Sequence, residues 1–183
     1  MIGNLTESTV YKGGLIMKIA VVYKSLTGNT KFVADAIAEA LKEKHDVCVC
    51  EPAEGLEADL YFVGSWIDKG NCTKEIAQFL AALDNQKIAL FATAGFGGSQ
   101  EYYDALAERI KAQIPASNEI LGQFFCQGKM PMSVRDRYVA MLQANPEDKN
   151  MEVNVKNFDE ALSHPDEADV KNAATWACSL VQQ

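Results

Sequence analysis

A doubly wound parallel sheet covered by helices on both faces is the fold class this chain predicts, and three observations carry that prediction. Short apolar runs alternate along the chain with longer stretches whose apolar residues recur every three or four positions. The runs are apolar nearly throughout rather than at every second residue, as expected of strands buried on both faces. The length of 183 residues, with 48% apolar and 23% charged residues, suits one domain with a full hydrophobic core.

The elements follow in order. Lys18 to Lys24 reads as the first strand, and the helix after it, Asn29 to Glu43, carries Val33, Ile37 and Leu41 on one side. Strands are predicted at Asp46 to Cys50 and Asp59 to Gly64. A helix from Cys72 to Leu83 places Ile76, Phe79, Leu80 and Leu83 on one face. Strand Lys87 to Thr93 leads to a helix from Gln100 to Gln113 with Tyr103, Leu106 and Ile110, and a fifth strand spans Glu119 to Gln127. Right-handed crossovers leave few topologies for such a chain. Ligands of these sheets bind beyond the carboxyl ends of the strands, where the segments after Lys24, Gly64 and Thr93 all lie.

The remaining chain reads as helical. Ser133 caps a helix to Gln143, Pro146 opens another carrying Met151, Val155, Phe158 and Leu162, and Ser163-His164-Pro165 marks a break. The last helix presents Val170, Ala174, Ala177 and Val181 and is expected to cover the sheet. The others, roughly thirty residues, exceed what the fold needs, and surplus ordered structure builds partner or substrate surfaces. Residues 1–16 lack periodicity and read as a disordered or leader extension. Lys12-Gly13-Gly14 matches what a purine-rich ribosome-binding run would encode, which makes Met17 the expected natural start. The expected organisation is therefore this extension, a core over 17–131, and a helical segment over 132–183 that completes the same domain.

The formal net charge of -8 argues against nucleic-acid or anionic-membrane partners and suits docking onto basic surfaces. No stretch is apolar for long enough to span a bilayer and no signal-peptide core is present, which points to the cytoplasm. The five cysteines contain no Cys-x-x-Cys pair and only two histidines exist, so neither thiol redox chemistry nor a metal site is expected. Cys48 and Cys50 share a strand face and read as small buried hydrophobes. His45 and His164 read as surface or turn residues. No catalytic residue is assigned.

The functional signal lies in Tyr23-Lys24-Ser25-Leu26-Thr27-Gly28-Asn29-Thr30, which joins the first strand to the first helix. A phosphate there would meet the free amides and positive dipole end of the helix and the hydroxyls of Ser25, Thr27 and Thr30. Gly28 permits close approach of the backbone, and Asn29 tolerates tight turns. The sequence lacks the Gly-Lys-Ser/Thr ending of nucleotide-triphosphatase loops and the spaced glycines of dinucleotide folds.

Ser-Leu-Thr-Gly-Asn-Thr resembles the FMN phosphate loop of the flavodoxin family, and the likeness covers most of Met17 to about Pro131. The resemblance implies a five-stranded sheet in the order 2-1-3-4-5 and FMN as cofactor. It implies cofactor contacts from Ser25, Leu26, Thr27, Gly28, Asn29 and Thr30, and from Ser65, Trp66, Ile67, Lys69 and Gly70 after the third strand. It adds Thr93, Ala94, Gly95, Phe96, Gly97 and Gly98 after the fourth. Trp66 and Phe96 are the expected walls of the isoalloxazine. Backbone amides of Thr93, Ala94 and Gly95 would face its pyrimidine edge, and Gln127 to Pro131 would line its open side. The carbonyl of the peptide at Gly70 would accept a hydrogen bond from the N5–H that the flavin gains on one-electron reduction. Lys69 would either raise the potential of the reduced flavin or stand as a solvated surface lysine.

A flavodoxin-like chain without a recognisable nicotinamide site is expected to carry electrons from a reductase to a partner enzyme, as a monomer or weak dimer. The alternatives are an NAD(P)H-dependent flavin or quinone reductase and a non-catalytic module that delivers flavin or a tetrapyrrole. The segment Phe125 to Arg135, with Leu162 to Glu167, is similar to flavodoxin-like proteins associated with bilirubin reduction in gut bacteria, which implies a bilirubin reductase as electron acceptor.

Overall fold

The computed structural model describes residues 15–182. The expected leader falls outside the described residues except for Leu15 and Ile16, which are exposed. The elements are β1 (Lys18–Lys24), α1 (Asn29–Leu41), β2 (Asp46–Cys50), β3 (Leu60–Trp66), α2 (Lys74–Ala82), β4 (Lys87–Ala94) and α3 (Gln100–Lys111), followed by β5 (Glu119–Gln127), α4 (Met132–Ala144), α5 (Lys149–Ala161) and α6 (Glu167–Val181).

All strand pairs are parallel, and the sheet order is β2-β1-β3-β4-β5. Because successive side chains on a strand point to opposite faces, the apolar runs supply two cores at once. Ile19, Val21, Leu60, Phe62, Ala89 and Phe91 face α1 and α6, while Ala20, Val22, Tyr61, Val63, Ile88 and Leu90 face α2 and α3. The expected faces of α1 and α2 bury Val33, Ile37, Leu41, Ile76, Phe79 and Leu80. A register shift opposite Ile88 and Ala89 leaves Leu121 unpaired in β5 and turns the rest of that strand.

The last helix covers the sheet beside α1, as its apolar pattern predicts, with its inner face rotated from the expected one. Ala177 is buried and Val181 packs on the core as expected, while Ala173 is buried in place of Val170 and Ala174. Trp176 reaches inward to Phe62, edge-on at 5.5 Å, and to Phe124 at 5.8 Å. Gly122 leaves it room, since a Cβ there would lie 3.3 Å from Trp176 Nε1.

Three further expectations change. Ser133 lies inside α4, whose N-cap is Pro131. Pro146 sits in the turn before α5, which starts after Asp148, a residue whose carboxylate accepts from the Asn150 and Met151 amides at 3.0 and 3.2 Å. An Asp cap captures the first-turn donors that a proline leaves unsatisfied. Cys48 is exposed and Cys50 half-buried, because β2 is an edge strand and lacks a neighbour on one side.

Gly64 marks the tightest point of the sheet: a Cβ there would stand 2.1 Å from Phe91 Cζ. Gly64→Ala is expected to cost about 1–3 kcal/mol or more through overpacking, read as a lower urea midpoint; an unchanged midpoint would show that the Phe91 ring moves aside freely.

Candidate functional site

The carboxyl ends of β1, β3, β4 and β5 deliver four loops to one edge of the sheet. The first, Ser25 to Gly28, turns directly into α1. Gly28 is the N-cap with φ of 91°, a left-handed conformation natural to glycine, and no side chain caps the helix. The Phe32 amide is the first to enter the ladder, donating to Gly28 O at 2.9 Å, so the amides of Asn29, Thr30 and Lys31 precede it.

Helices α2, α3, α5 and α6 differ in both respects that matter to an anion, whereas α4, which opens at Pro131, likewise has no side-chain cap and no acidic first turn. Thr73, Ser99, Asp148 and Asp166 cap the first four through side-chain oxygens, and each of the four has an acidic residue in its first turn. The first turn of α1 has none. Its positive end is therefore neither capped nor neutralised from within.

The loop is anchored from below. The Asn29 side chain, nearly buried, donates to Lys129 O at 2.8 Å, and the Gly28 amide donates to Ser25 Oγ at 3.1 Å. The Thr30 hydroxyl lies 2.8 Å from the Thr93 hydroxyl in a fully buried pair. This differs from the expectation that the Thr30 hydroxyl faces a phosphate: its position in the first helical turn directs it to the sheet, and the hydroxyls left at the surface of the loop are those of Ser25 and Thr27. Leu26 is exposed.

The second loop begins later than expected because β3 continues through Ser65 to Trp66, which pairs with Thr93. Ser65 is buried, donating to Trp66 O at 2.7 Å and accepting from the Thr73 amide at 3.0 Å, so its hydroxyl serves the loop itself. Trp66 is half-buried, and the Ile67 amide donates to Thr93 O. Lys69 and Gly70 both have positive φ, 49° and 81°, and form the tip of a tight turn closed by mutual bonds between Asp68 and Asn71. The Gly70 carbonyl accepts from Arg109 Nη1 at 3.2 Å, a contact from α3 with no local sequence signal.

Thr93 and Ala94 are buried within β4, with their carbonyls accepting from Ile67 and Gly128. Gly95 to Gly98 form the part that projects beyond the sheet. Phe96 is 38% exposed and stands edge-on to Tyr102 at 6.0 Å. Tyr102 continues to Tyr103 and then to Phe125 at similar spacings, and burial pushes the Tyr103 phenol up to about 12.

The fourth loop and the C-terminal helices close the edge. Lys129 donates its amide to His164 O at 2.8 Å, and His164 Nδ1 lies 2.6 Å from Asp169 in the capping box of α6. His164 thus lies in the turn between α5 and α6, as its sequence context implies, and its ring ties that turn to the start of α6. Gln127 turns inward to Asn157, and Met130 packs where a Cβ on Gly95 would lie. Asn157, buried on α5, bonds to Gly95 and Gly97; sequence reasoning missed it, because one of three asparagines in a polar helix announces no partner sixty residues away.

Among the described residues no helix is long and apolar enough to cross a membrane. The flavodoxin domain family model matches residues 20–177. A flavodoxin-like domain-containing protein BilS of Clostridioides difficile (strain CD3) is 37% identical over 170 residues, covering 90% of this chain and 97% of that protein. Its namesake in Clostridium symbiosum (strain WAL-14163) is 40% identical over 172 residues, covering 84% and 90%. The structure of oxidised flavodoxin 2 from Bacillus cereus shares the fold with a TM-score of 0.53 and 21% identity over 90% of this chain and 98% of that one.

The thiols stand apart from the loops' donors. Burial, and then the charges of Asp169 and Asp166, push the Cys126 thiol far above neutral pH, and burial also raises Cys72. Iodoacetamide at pH 8 is therefore expected to label exposed Cys48 well before Cys72 or Cys126, as peptide mass spectrometry would read; equal labelling of Cys126 would contradict its burial.

Proposed function

The chain belongs to the flavodoxin family, and we propose that it is a cytoplasmic electron carrier holding one FMN at the edge where β1, β3 and β4 end. The observation that carries this reading is the uncapped, acid-free first turn of α1. Three amides ahead of the helical ladder, with Ser25 and Thr27 beside them, match the needs of a phosphate monoester. Hydrogen bonds to a charged group contribute about 1.5–3 kcal/mol each, so a few suffice to anchor the cofactor. The fold would fit FMN poorly if α1 were sealed as α2, α3, α5 and α6 are.

Around that anchor, Phe96 and half-buried Trp66 are the aromatic surfaces offered to a flat ring. The Lys69-Gly70 turn and the Gly95–Gly98 loop bring backbone groups to the same edge. Bound FMN supplies one-electron chemistry, and the protein holds it, limits its hydration and presents it to partners. The net charge of -8 favours partners with basic docking faces. We assign the donor to a reductase, and the acceptor to an enzyme that reduces bilirubin on the likeness of the segments around Met130 and Pro165. The carrier works as a monomer or weak dimer.

Purified protein loaded with FMN is expected to stay yellow on addition of NADH or NADPH and to bleach once a flavodoxin reductase is supplied. Rapid bleaching by the nicotinamide alone would move the chain to the reductase class, and failure to take up FMN would remove the carrier reading.

A further inference from the structure

The loop after β4 has the composition of a flexible segment and the packing of a rigid one. Gly95, Gly97 and Gly98 surround Phe96, and glycines lose the most backbone freedom on ordering. Two of them are required by close approach. A Cβ on Gly95 would lie 2.5 Å from Met130 Sδ, and one on Gly97 would lie 2.8 Å from Gln127 Cδ and 2.9 Å from Tyr103 Oη. The loop is therefore pressed against β5 and α3, and something must fix it there.

Asn157 does so from α5. Only 6% exposed, it donates from Nδ2 to Gly95 O at 2.9 Å, and its Oδ1 accepts from the Gly97 amide at 3.2 Å and from Gln127 Nε2 at 3.1 Å. A single side-chain amide thus holds both the carbonyl before Phe96, which also accepts a longer bond from Gln127 Nε2 at 3.4 Å, and the N–H after it. Its orientation is unambiguous, since the Gly95 carbonyl can only accept and the Gly97 amide can only donate. Phe96 itself is exposed and touches Tyr102 edgewise, so its ring is placed by its backbone more than by a core. Helix α5 comes from the segment that exceeds the basic fold, and its partner α4 has no buried residue.

We propose that Asn157 is a positioning residue of the flavin site: by clamping the peptide groups on either side of Phe96 it sets the pose of that ring against the isoalloxazine and makes α5 part of the cofactor site. The inference rests on the FMN reading above. It also couples the two regions, because anything that displaces α5 alters flavin affinity and flavin binding resists that displacement.

Asn157→Asp separates the two ends of the clamp, as a carboxylate still accepts from Gly97 but sets an oxygen against the Gly95 carbonyl. In full-length protein without FMN, the Gly97 amide of the wild type is expected to exchange slowly with deuterium and that of Asn157→Asp at least about tenfold faster. FMN affinity, followed by quenching of flavin fluorescence, is expected to fall about tenfold. In a Phe96→Ala background the same substitution is expected to cause little further loss. Wild-type protein that binds FMN while Asn157→Asp binds it equally well, or a loss undiminished in the Phe96→Ala background, would overturn the inference. Should Asn157→Asp fail to fold, Asn157→Ser takes its place, and fast exchange at Gly97 in the folded wild type would overturn the inference alone. A wild type that binds no FMN would defeat the flavin reading first, and this inference with it.

Discussion

The positive end of α1 is the constraint from which the rest of the site follows. Helices α2, α3, α5 and α6 close their first turns with a side-chain oxygen and an acidic residue; α1 and α4 do neither, and α1 alone of these two opens through a glycine turn that carries hydroxyls, where α4 opens at Pro131. Unsatisfied amides are tolerable only where water or a ligand can reach them, which fixes that turn at the carboxyl edge of the sheet. Gly28 makes the turn possible with a left-handed backbone, and the buried Thr30–Thr93 hydroxyl pair ties the turn to β4. The open turn of α1 and the loop after β4 are thereby held to the same strand.

A second set of ties runs through the C-terminal segment. Asn29 bonds to Lys129, Lys129 to His164, and His164 to Asp169 at the start of α6, which packs on the sheet beside α1. Asn157 and Gln127 do the same for the loop after β4. Arg135 and Asp159 join α4 to α5 through two bonds of 2.6 and 3.0 Å. The helices beyond β5 are thus not an appendage; their inner residues brace the site while α4 leaves its surface to solvent.

Much of this was legible in the sequence where one local rule decided the outcome. The bounds of β1, β2 and β5 follow from apolar runs ended by turn residues, and the inner faces of α1 and α2 from their spacing. The turn from Ser25 to Gly28 was visible because a strand, a glycine turn and a helix meet there in a short stretch. What stayed hidden depended on distant partners. Periodicity could not show that Thr30 would choose Thr93, that Arg109 would reach Gly70, or that Asn157 would hold Gly95 and Gly97. The burial of Cys48 and Cys50 was misjudged because composition does not distinguish an edge strand from a central one. The start of α5 was misplaced because Pro146 and Asp148 both mark helix openings and only the latter offers a side-chain acceptor.

The most direct test of the α1 anion site compares the affinity of the cofactor-free protein for FMN and for riboflavin, which differ only in the phosphate. If that group is gripped by the free amides of α1, FMN binds at least about 100-fold more tightly, the worth of two charge-assisted hydrogen bonds. Equal affinities would contradict the account, because they would place the binding energy in the ring contacts and leave the open helix end without a role.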